Sequence, residues 1–208
     1  YCITYMKRTR KIKIRKIIQL SPNMKRITFF GNDLYDFPKN ENGGYIKILF
    51  KKKLNNKDIL FARPFTIRNF RKPQLELDID FSHHSNNQGY ATKWAYNAKI
   101  GDEISISGPG SKQLINISSN WFFFVGDMTA LPAISAYLEK LPEQAIGYVV
   151  IEILSVHDKI NIRKPKKIKI QWIIKSNQDD NSFINAVKNV KWLDQKPYVW
   201  VACEFTKM

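Results

Sequence analysis

Two arginines five residues apart stand in the segment Arg63–Arg68 (RPFTIR), with an aromatic residue and a hydroxyl between them. A guanidinium group can bind phosphate oxygens through two parallel hydrogen bonds. The ring of Phe65 can stack on a flat heterocycle, and the hydroxyl of Thr66 can hydrogen-bond to the edge of that heterocycle. The set suits a flavin dinucleotide. Taken alone, however, the hexapeptide fits an ordinary strand with two surface arginines better.

A glycine followed by small residues marks a second segment, Gly89–Ala95 (GYATKWA), which lies a few residues after His84. A glycine at a helix start exposes backbone N–H groups, and together with the helix dipole these can bind a phosphate. The alternative is a plain helix start with Thr92 in its first turn. A single histidine such as His84 is, by itself, more often a structural side chain than a ligand.

A third segment, Trp121–Ala133 (WFFFVGDMTALPA), predicts a buried strand that ends at Gly126 and a helix that begins just after it. In an open α/β sheet, ligands bind at the carboxyl ends of the strands, beside such turns. The glycine pattern GxGxxG of standard dinucleotide-binding turns is absent here. A generic strand–turn–helix junction is therefore the alternative interpretation.

Short strands broken by turn residues predict a β domain in the first half of the chain, typical of a closed antiparallel barrel. The expected strands are Ile12–Leu20, Met24–Phe30, Tyr45–Phe50, Phe65–Phe70, Leu75–Phe81 and Glu103–Ser107. Phe65–Phe70 and Leu75–Phe81 are expected to form a hairpin. One short helix is expected over Gly89–Tyr96.

The second half alternates strands with helices, which predicts an α/β domain with a parallel sheet. The expected strands are Trp121–Val125, Tyr148–Leu154, Lys167–Ile174 and Tyr198–Ala202, and the expected helices are Thr129–Leu141 and Ser182–Val190. The pattern changes near the polar stretch Ile115–Asn120. We therefore expect two domains, residues 1–117 and 118–208.

The net charge is +16, from 34 Lys and Arg against 18 Asp and Glu. A protein with such a positive charge can bind nucleic acid, an anionic membrane or an anionic ligand. Residues 7–16 (KRTRKIKIRK) alternate basic and apolar from Lys11 onward, as a half-buried strand with solvated lysines would. Because the sequence has no RNA-binding aromatic signature, helix-turn-helix spacing or zinc knuckle, we interpret most of the charge as solvated surface and expect no nucleic-acid partner.

The short apolar runs and the low number of cysteines narrow the class of protein further. No run approaches the roughly 20 apolar residues that span a bilayer, so no membrane insertion is expected. The basic first residues are not followed by the apolar region of a signal peptide. Cys2 and Cys203 share no metal-binding or disulfide-framework spacing. So few cysteines suit a reducing compartment, and we expect a cytoplasmic protein, a monomer, without a resident metal.

Five segments, in order along the chain, resemble motifs of the siderophore-interacting protein family. Residues 63–68 are similar to R-x-Y-T-x-R, residues 80–95 to D-F-V-L-H-G…G-P-A-S-x-W-A, and residues 121–132 to W-x-L-L-A-G-D-E-T-A-L-P. Residues 198–204 (YVWVACE) resemble Y-V-W-A-A-G-E, and residues 45–50 (YIKILF) resemble H-V-K-L-L-F. Five motifs in one order extend over nearly the whole chain.

The resemblance implies a ferredoxin-reductase-like architecture, with a six-stranded antiparallel FAD-binding barrel followed by a parallel-sheet domain for NADH or NADPH. It assigns Arg63 and Arg68 to the flavin phosphates or ribityl chain, Phe65 to the flavin ring and Thr66 to flavin N5. It assigns further FAD contacts to Ile67, Asp80, His84, Gly89, Ala91 and Thr92. For the nicotinamide dinucleotide it implies Gly126, Asp127, Thr129, Ala130, Leu131 and Glu204.

Several positions depart from the family motifs. Phe65 replaces Tyr, Tyr90 replaces Pro, and Ser85 replaces Gly. Met128 replaces an acidic residue, and Cys203 replaces a Gly beside the expected nicotinamide site, where a side chain narrows the pocket. The sequence ends where the family continues into a helix and tail, so a truncated C-terminal end is expected.

The activity implied by the resemblance is FAD-dependent reduction of a ferric siderophore by NAD(P)H, which releases iron for use. Lys47 and Lys93 match basic positions that would face the anionic ferric chelate. Asp158 and the segment Arg163–Lys169 are weaker candidates for binding an adenosine 2′-phosphate. Three alternatives stay open, in descending order: a flavin reductase of the same fold with another electron acceptor, a redox-inactive module that binds FAD or siderophore, and a nucleic-acid-binding protein. The sequence does not distinguish NADH, NADPH and a protein electron donor.

Overall fold

The structure is a computed structural model that describes residues 8–54, 57–83, 89–111, 115–176 and 181–203. The predicted site residues His84 and Glu204 lie outside the described residues. The chain divides into two compact units. The first comprises residues 1–19 and 25–113, and the second comprises residues 20–24 and 114–208.

Antiparallel strands build the first unit. The strands are β1 (Thr9–Ser21), β2 (Met24–Phe30), β3 (Tyr45–Leu54), β4 (Lys57–Thr66), β5 (Asn69–Arg71), β6 (Glu76–Ser82) and β7 (Glu103–Ser107). They form one sheet in the order β4-β3-β7-β1-β2-β6-β5. Helix α1 (Tyr90–Asn97) packs Trp94 and Ala91 against the core. Alternating apolar residues such as Ile12, Ile14, Ile46 and Ile48 fill that core, because every second strand residue faces inward.

The predicted barrel-like antiparallel domain is confirmed, with one difference in its strands. Among the described residues the sheet has seven strands, of which β5 has only three residues. Residues 65–70 do not form one strand, because β4 ends at Thr66 and β5 begins at Asn69. The β5–β6 hairpin does form, with Phe70 opposite Leu77. Strand β4 pairs with β3 over its whole length, and only its last two residues, Phe65 and Thr66, were predicted as strand.

The second unit contains a four-stranded parallel sheet. Its strands are β8 (Trp121–Gly126), β9 (Gly147–Ile153), β10 (Ile168–Ile174) and β11 (Pro197–Ala202), and its helices are α2 (Leu131–Leu138) and α3 (Ser182–Lys188). The strand order is β10-β9-β8-β11, with parallel pairs throughout. The predicted parallel α/β domain is confirmed. Helix α2 is shorter than the expected Thr129–Leu141 at both ends, because residues 129–130 and 139–140 form turns.

The two faces of this sheet carry separate apolar cores. Phe122 and Phe124 of β8 belong to the cluster that includes Ile134 of α2. Trp121 and Phe123, on the opposite face, belong to the cluster that includes Phe183 of α3. This arrangement explains the uninterrupted apolar sequence of β8, since a strand covered on both faces has no solvated side.

No helix among the described residues is long and apolar enough to cross a membrane.

Candidate functional site

Alternate residues of β4 form a row of aromatic and cationic side chains on one face of the sheet. Phe61, Arg63 and Phe65 lie directly opposite Phe50, Ile48 and Ile46 of β3, which are buried. The exposed Arg63 holds its guanidinium carbon 5.2 Å from the centre of the Phe61 ring. The half-buried Phe65 ring lies 4.6 Å from the Phe81 ring. A cation and a partly open aromatic ring therefore lie two residues apart on one face.

Helix α1 begins beside this row. The Tyr90 and Phe61 rings pack edge-on, with their centroids 5.1 Å apart. The Arg63 guanidinium lies over the same Phe61 ring. Gly89 caps the helix without a side-chain hydrogen bond, and a Cβ built at Gly89 has no atom within 4 Å. Among the residues that the structure describes, no side chain caps this first turn, so its backbone N–H groups can bind an anion, which the helix dipole favours. Ala91 and Thr92, in that turn, are half-buried.

These residues fit an FAD molecule. The Arg63 guanidinium and the start of α1 are two separate donors for phosphate oxygens. Both lie beside the Phe61 ring, which contacts the Arg63 guanidinium and the ring of Tyr90, the first residue of α1. The half-buried Phe65 supplies a flat apolar surface beside them. Thr66, the last residue of β4, is also half-buried. The predicted set Arg63, Phe65, Thr66, Gly89, Ala91 and Thr92 therefore lies in one region of the first unit.

Arg68, Ile67 and Asp80 are placed differently. Asp80 is buried, and Arg26 binds its carboxylate through Nε at 2.6 Å and Nη2 at 2.8 Å. The Arg68 side chain is only 13% exposed, with its Nε 4.0 Å from Asp80 Oδ2. Ile67 is fully buried in the core. Arg63 is exposed, whereas Arg68 lies largely buried beside the Arg26–Asp80 ion pair, and the flavin contact of both arginines stays a prediction.

The two predicted substrate lysines are both exposed, and they lie on different elements. Lys47 of β3 is paired with Pro64, one residue from Arg63, so it points to the face of the sheet opposite to Arg63. Lys93 lies on α1. The structure therefore does not bring Lys47 to the Arg63 face.

The predicted nicotinamide turn follows β8 in the second unit. Strands β8 and β11 are neighbours, with Gly126 beside Ala202, and the chain leaves β8 on one side of the sheet and returns on the other. Such a switch point is where open α/β sheets bind ligands. A Cβ on Gly126 would lie 2.6 Å from Ala130 Cβ and 3.0 Å from the Ala202 carbonyl oxygen. Only glycine fits this close contact.

The Asp127 carboxylate occupies the same turn. Its Oδ1 accepts hydrogen bonds from the Thr129 N–H at 2.8 Å, the Thr129 hydroxyl at 2.6 Å and the Ala130 N–H at 3.4 Å. Ala130 and Leu131 are buried in the α2 core, as is Met128. Of the predicted set, Thr129 is exposed. A phosphate at this turn would compete with Asp127, so the turn fits the uncharged part of a dinucleotide better than its pyrophosphate.

Asp158 has a structural position. It is fully buried, and its Oδ1 accepts hydrogen bonds from the Ser21 hydroxyl at 2.7 Å and the Asn23 N–H at 2.9 Å. The Asn23 side-chain amide donates to the other oxygen. The interpretation of Asp158 as a contact for a 2′-phosphate was wrong, because three protein donors already satisfy its carboxylate.

Two further residues of the first unit were not predicted. Tyr90 packs edge-on against Phe50 as well as Phe61, and its hydroxyl donates a hydrogen bond to the Lys51 carbonyl at 2.7 Å. Phe61 supports the Arg63 guanidinium. The sequence offered one signal for a role of Tyr90: tyrosine stands at position 90, where the family motif has proline. Phe61 could have been found from its two-residue spacing to Arg63 along a strand.

Comparisons with known proteins match the chain in two parts. The family model described as siderophore-interacting FAD-binding domain matches residues 13–61 and 52–113, and the model described as siderophore-interacting protein matches residues 119–208. Among solved structures, the siderophore-interacting protein SipS from Aeromonas hydrophila is 31% identical with a TM-score of 0.84, covering 96% of this chain and 81% of SipS.

Two curated relatives are reductases by name. The ferric vibriobactin reductase ViuB of Vibrio cholerae is 33% identical over 171 residues, covering 75% of this chain and 63% of ViuB. The NADPH-dependent ferric-chelate reductase of Escherichia coli is 24% identical over 166 residues, covering 73% of this chain and 64% of the relative. The chain thus spans less than two thirds of the length of either reductase.

Proposed function

Since the chain belongs to the siderophore-interacting protein family, we propose that it is an FAD-dependent ferric-siderophore reductase. The reaction would reduce chelated Fe(III) to Fe(II) with electrons from NAD(P)H and so release the iron. The observation that carries the proposal is the convergence of Arg63, Phe65 and the uncapped start of α1 in a domain that matches an FAD-binding family.

In this proposal the first unit binds the cofactor through three kinds of contact. Arg63 and the first-turn N–H groups of α1 hold phosphate oxygens, Phe65 covers the flavin ring, and Thr66 hydrogen-bonds to the ring edge. The barrel core fixes Phe65 through Phe81 and α1 through Trp94, so these contacts are formed by rigid elements. FAD, when bound, accepts a hydride and can release its electrons singly.

The substrate would be an anionic iron chelate. Hard oxygen ligands prefer Fe(III), so reduction weakens their hold on the metal. A net charge of +16 raises the encounter rate of an anionic chelate with the protein. Lys93, exposed on α1, is close in sequence to the proposed phosphate contacts, whereas Lys47 lies on the other face of β3 and β4 and is a weaker candidate. The names of ViuB and of the E. coli reductase support this substrate class.

The electron donor would be NADPH or NADH, held at the β8 switch point. Gly126 allows close approach, and exposed Thr129 offers a hydroxyl beside it. Cys203, next to the end of β11, packs against the Trp121 cluster. The cytoplasm, where these nucleotides are kept reduced, is the proposed location, and the name of the E. coli relative favours NADPH.

The test is a flavin titration followed by reduction. Purified protein loaded with FAD should be yellow, should bleach on anaerobic addition of NADPH, and should regain colour when a ferric catecholate is added. Arg63→Ala should weaken FAD binding about 10- to 100-fold, because it removes a charged hydrogen-bond donor. Arg15→Ala removes an exposed arginine that pairs with Glu76 and should leave FAD binding unchanged.

Two results would redirect the proposal. A protein that cannot be loaded with FAD would contradict its central claim. A yellow protein that ignores both nucleotides would favour a protein electron donor or a redox-inactive module. The Asp127 carboxylate in the nucleotide turn is the observation that keeps this second candidate open.

A further inference from the structure

We propose that a cleft in the first unit binds a small aromatic carboxylate. The cleft opens where β3 separates from β7. Among the described residues, β3 pairs with β7 only over Lys47–Leu49 and then continues beside β4 alone. The cleft has a volume of about 510 Å³, which is within the range of small-molecule sites. The proposal does not depend on the proposed redox activity.

Aromatic side chains form the floor of this cleft. Phe50 is buried, and its ring packs edge-on against the rings of Trp94 at 5.6 Å and Tyr90 at 5.8 Å. Tyr90 is 40% exposed and Trp94 is half-buried, so part of each ring stays open to the cleft. Leu60, which is 57% exposed, adds apolar surface at the edge. Such a floor suits a flat apolar molecule, because aromatic rings pack favourably on one another.

Cationic and hydroxyl side chains form the rim. Lys11 of β1 is opposite Ser105 of β7, and Ser105 is opposite Leu49 of β3, so these three side chains point to the same face of the sheet. Thr9 and Lys51 each lie two residues away along the same strands, β1 and β3, and point the same way. All five residues line the cleft. The rim therefore offers two ammonium groups and two hydroxyls to one anionic group.

The charge of this region favours an anion. Glu103 is the one carboxylate among the described residues that line the cleft, and it pairs with Lys13 at 2.8 Å. The hydrogen bond from Lys13 holds the pKa of Glu103 below its ordinary value, so the carboxylate stays ionised and paired. Among the described residues, neither the Lys11 nor the Lys51 ammonium forms an ion pair. Three lysines against one glutamate leave a net charge of 3 − 1 = +2.

The floor suits a hydrocarbon ring better than the base of a nucleotide. A base needs hydrogen-bond partners around its edge, and leaving them unmade costs binding free energy. The floor side chains are hydrocarbon except for the indole N–H of Trp94 and the hydroxyl of Tyr90. That hydroxyl already donates a hydrogen bond to the Lys51 carbonyl at 2.7 Å. A carboxylate on an apolar ring system would place its only polar group at the rim.

The cleft and the Arg63 row lie on opposite faces of β4. Leu60 and Phe61 are consecutive strand residues, so Leu60 points away from the face that carries Phe61 and Arg63. Tyr90 borders both regions. A ligand in the cleft should therefore be compatible with a bound flavin.

Isothermal titration calorimetry with naphthoate tests the proposal, and uncharged naphthalenemethanol is the matched ligand. The protein should bind naphthoate about tenfold more tightly than the alcohol, since only the carboxylate pairs with lysines. Lys11→Gln with Lys51→Gln should lower the affinity for naphthoate about tenfold and leave the affinity for the alcohol unchanged. Leu60→Ser should lower both affinities about threefold, because it removes apolar contact area.

A second pair of lysines separates the cleft from the overall charge. Lys52 follows Lys51 but points to the other face of β3, and Lys39 is exposed outside the cleft. Lys39→Gln with Lys52→Gln should bind both ligands like the wild type, and circular dichroism should show all variants folded. Equal losses in the two double variants would overturn the proposal in favour of general charge attraction. Absent naphthoate binding would overturn it too, and displacement of naphthoate by FAD would assign the cleft to the cofactor instead.

Discussion

Each unit places a glycine shortly before a helix, Gly89 directly before α1 and Gly126 at the end of β8 before α2, and the two turns differ in which groups bind their N–H donors. At α1, no side chain in the part of the chain that the structure describes caps the first-turn N–H groups. At the turn before α2, Asp127 accepts hydrogen bonds from the N–H groups of Thr129 and Ala130. A glycine before a helix thus predicts an anion site only when no neighbouring carboxylate has already bound the same donors.

Substituting the two glycines should give the largest difference in stability between the two turns. Gly126→Ala should lower the free energy of unfolding by about 2–3 kcal/mol, because its Cβ would overlap Ala130 and the Ala202 carbonyl. Gly89→Ala should change it by less than about 0.5 kcal/mol, because the site is open and the backbone φ is −57°. Urea unfolding of both variants measures the difference. Equal effects would contradict the distinction between a closed and an open turn.

Removing the Asp127 cap at the turn before α2 should have a smaller effect on the free energy of unfolding. Asp127→Ala removes the acceptor for the two N–H groups and should destabilise the protein by about 1 kcal/mol. The freed donors should also let the turn accept an anion, so phosphate should raise the melting temperature of the variant more than that of the wild type. Thermal unfolding with and without phosphate provides the measurement. An unchanged response to phosphate would show that the turn is closed by more than Asp127.

An acid titration should give the smallest effect, and it concerns the first unit. Burial alone would raise the pKa of Asp78, but hydrogen bonds from Arg71 and Thr28 outweigh burial and hold this pKa below its ordinary value. The stabilisation is therefore present above the unfolded-state pKa of about 4 and is lost as the pH falls through the lower folded-state value. Unfolding free energies between pH 2 and 5 should vary less in Asp78→Asn than in the wild type. An equally steep acid decline in both would contradict this.

Local patterns predicted most elements but not their outermost residues. The uninterrupted apolar run of Trp121–Gly126 and the alternation in Thr9–Ser21 are visible in the sequence because burial dictates them. Residues 57–64 of β4 were not predicted as strand, since they include the charged residues Lys57 and Asp58 and the strand-breaking Pro64, and pairing with β3 holds them in the sheet. Such pairing is non-local and leaves no periodicity in the strand itself.

The sequence predicted which residues form the candidate site more reliably than it predicted which of their side chains are exposed to a ligand. The motif spacing brought Arg63, Phe65 and Gly89 into one set, and these residues do share a region of the first unit. The same spacing treated Arg68 as equivalent to Arg63. Only the folded chain brings Asp80 next to Arg68, and that carboxylate arrives from β6, twelve positions away along the sequence.

The strand order of the second unit has a consequence for how the chain folds during synthesis. Strand β8 is made first, but its neighbour β11 is made last, and the pair Trp121–Pro197 spans 197 − 121 = 76 positions. Until residues 197–202 leave the ribosome, one edge of β8 has unpaired backbone groups and exposed aromatic side chains. Late closure of a non-local parallel pair is slow and leaves time for aggregation. Chaperone dependence in the cell should therefore arise from this unit rather than from the hairpin-rich first one.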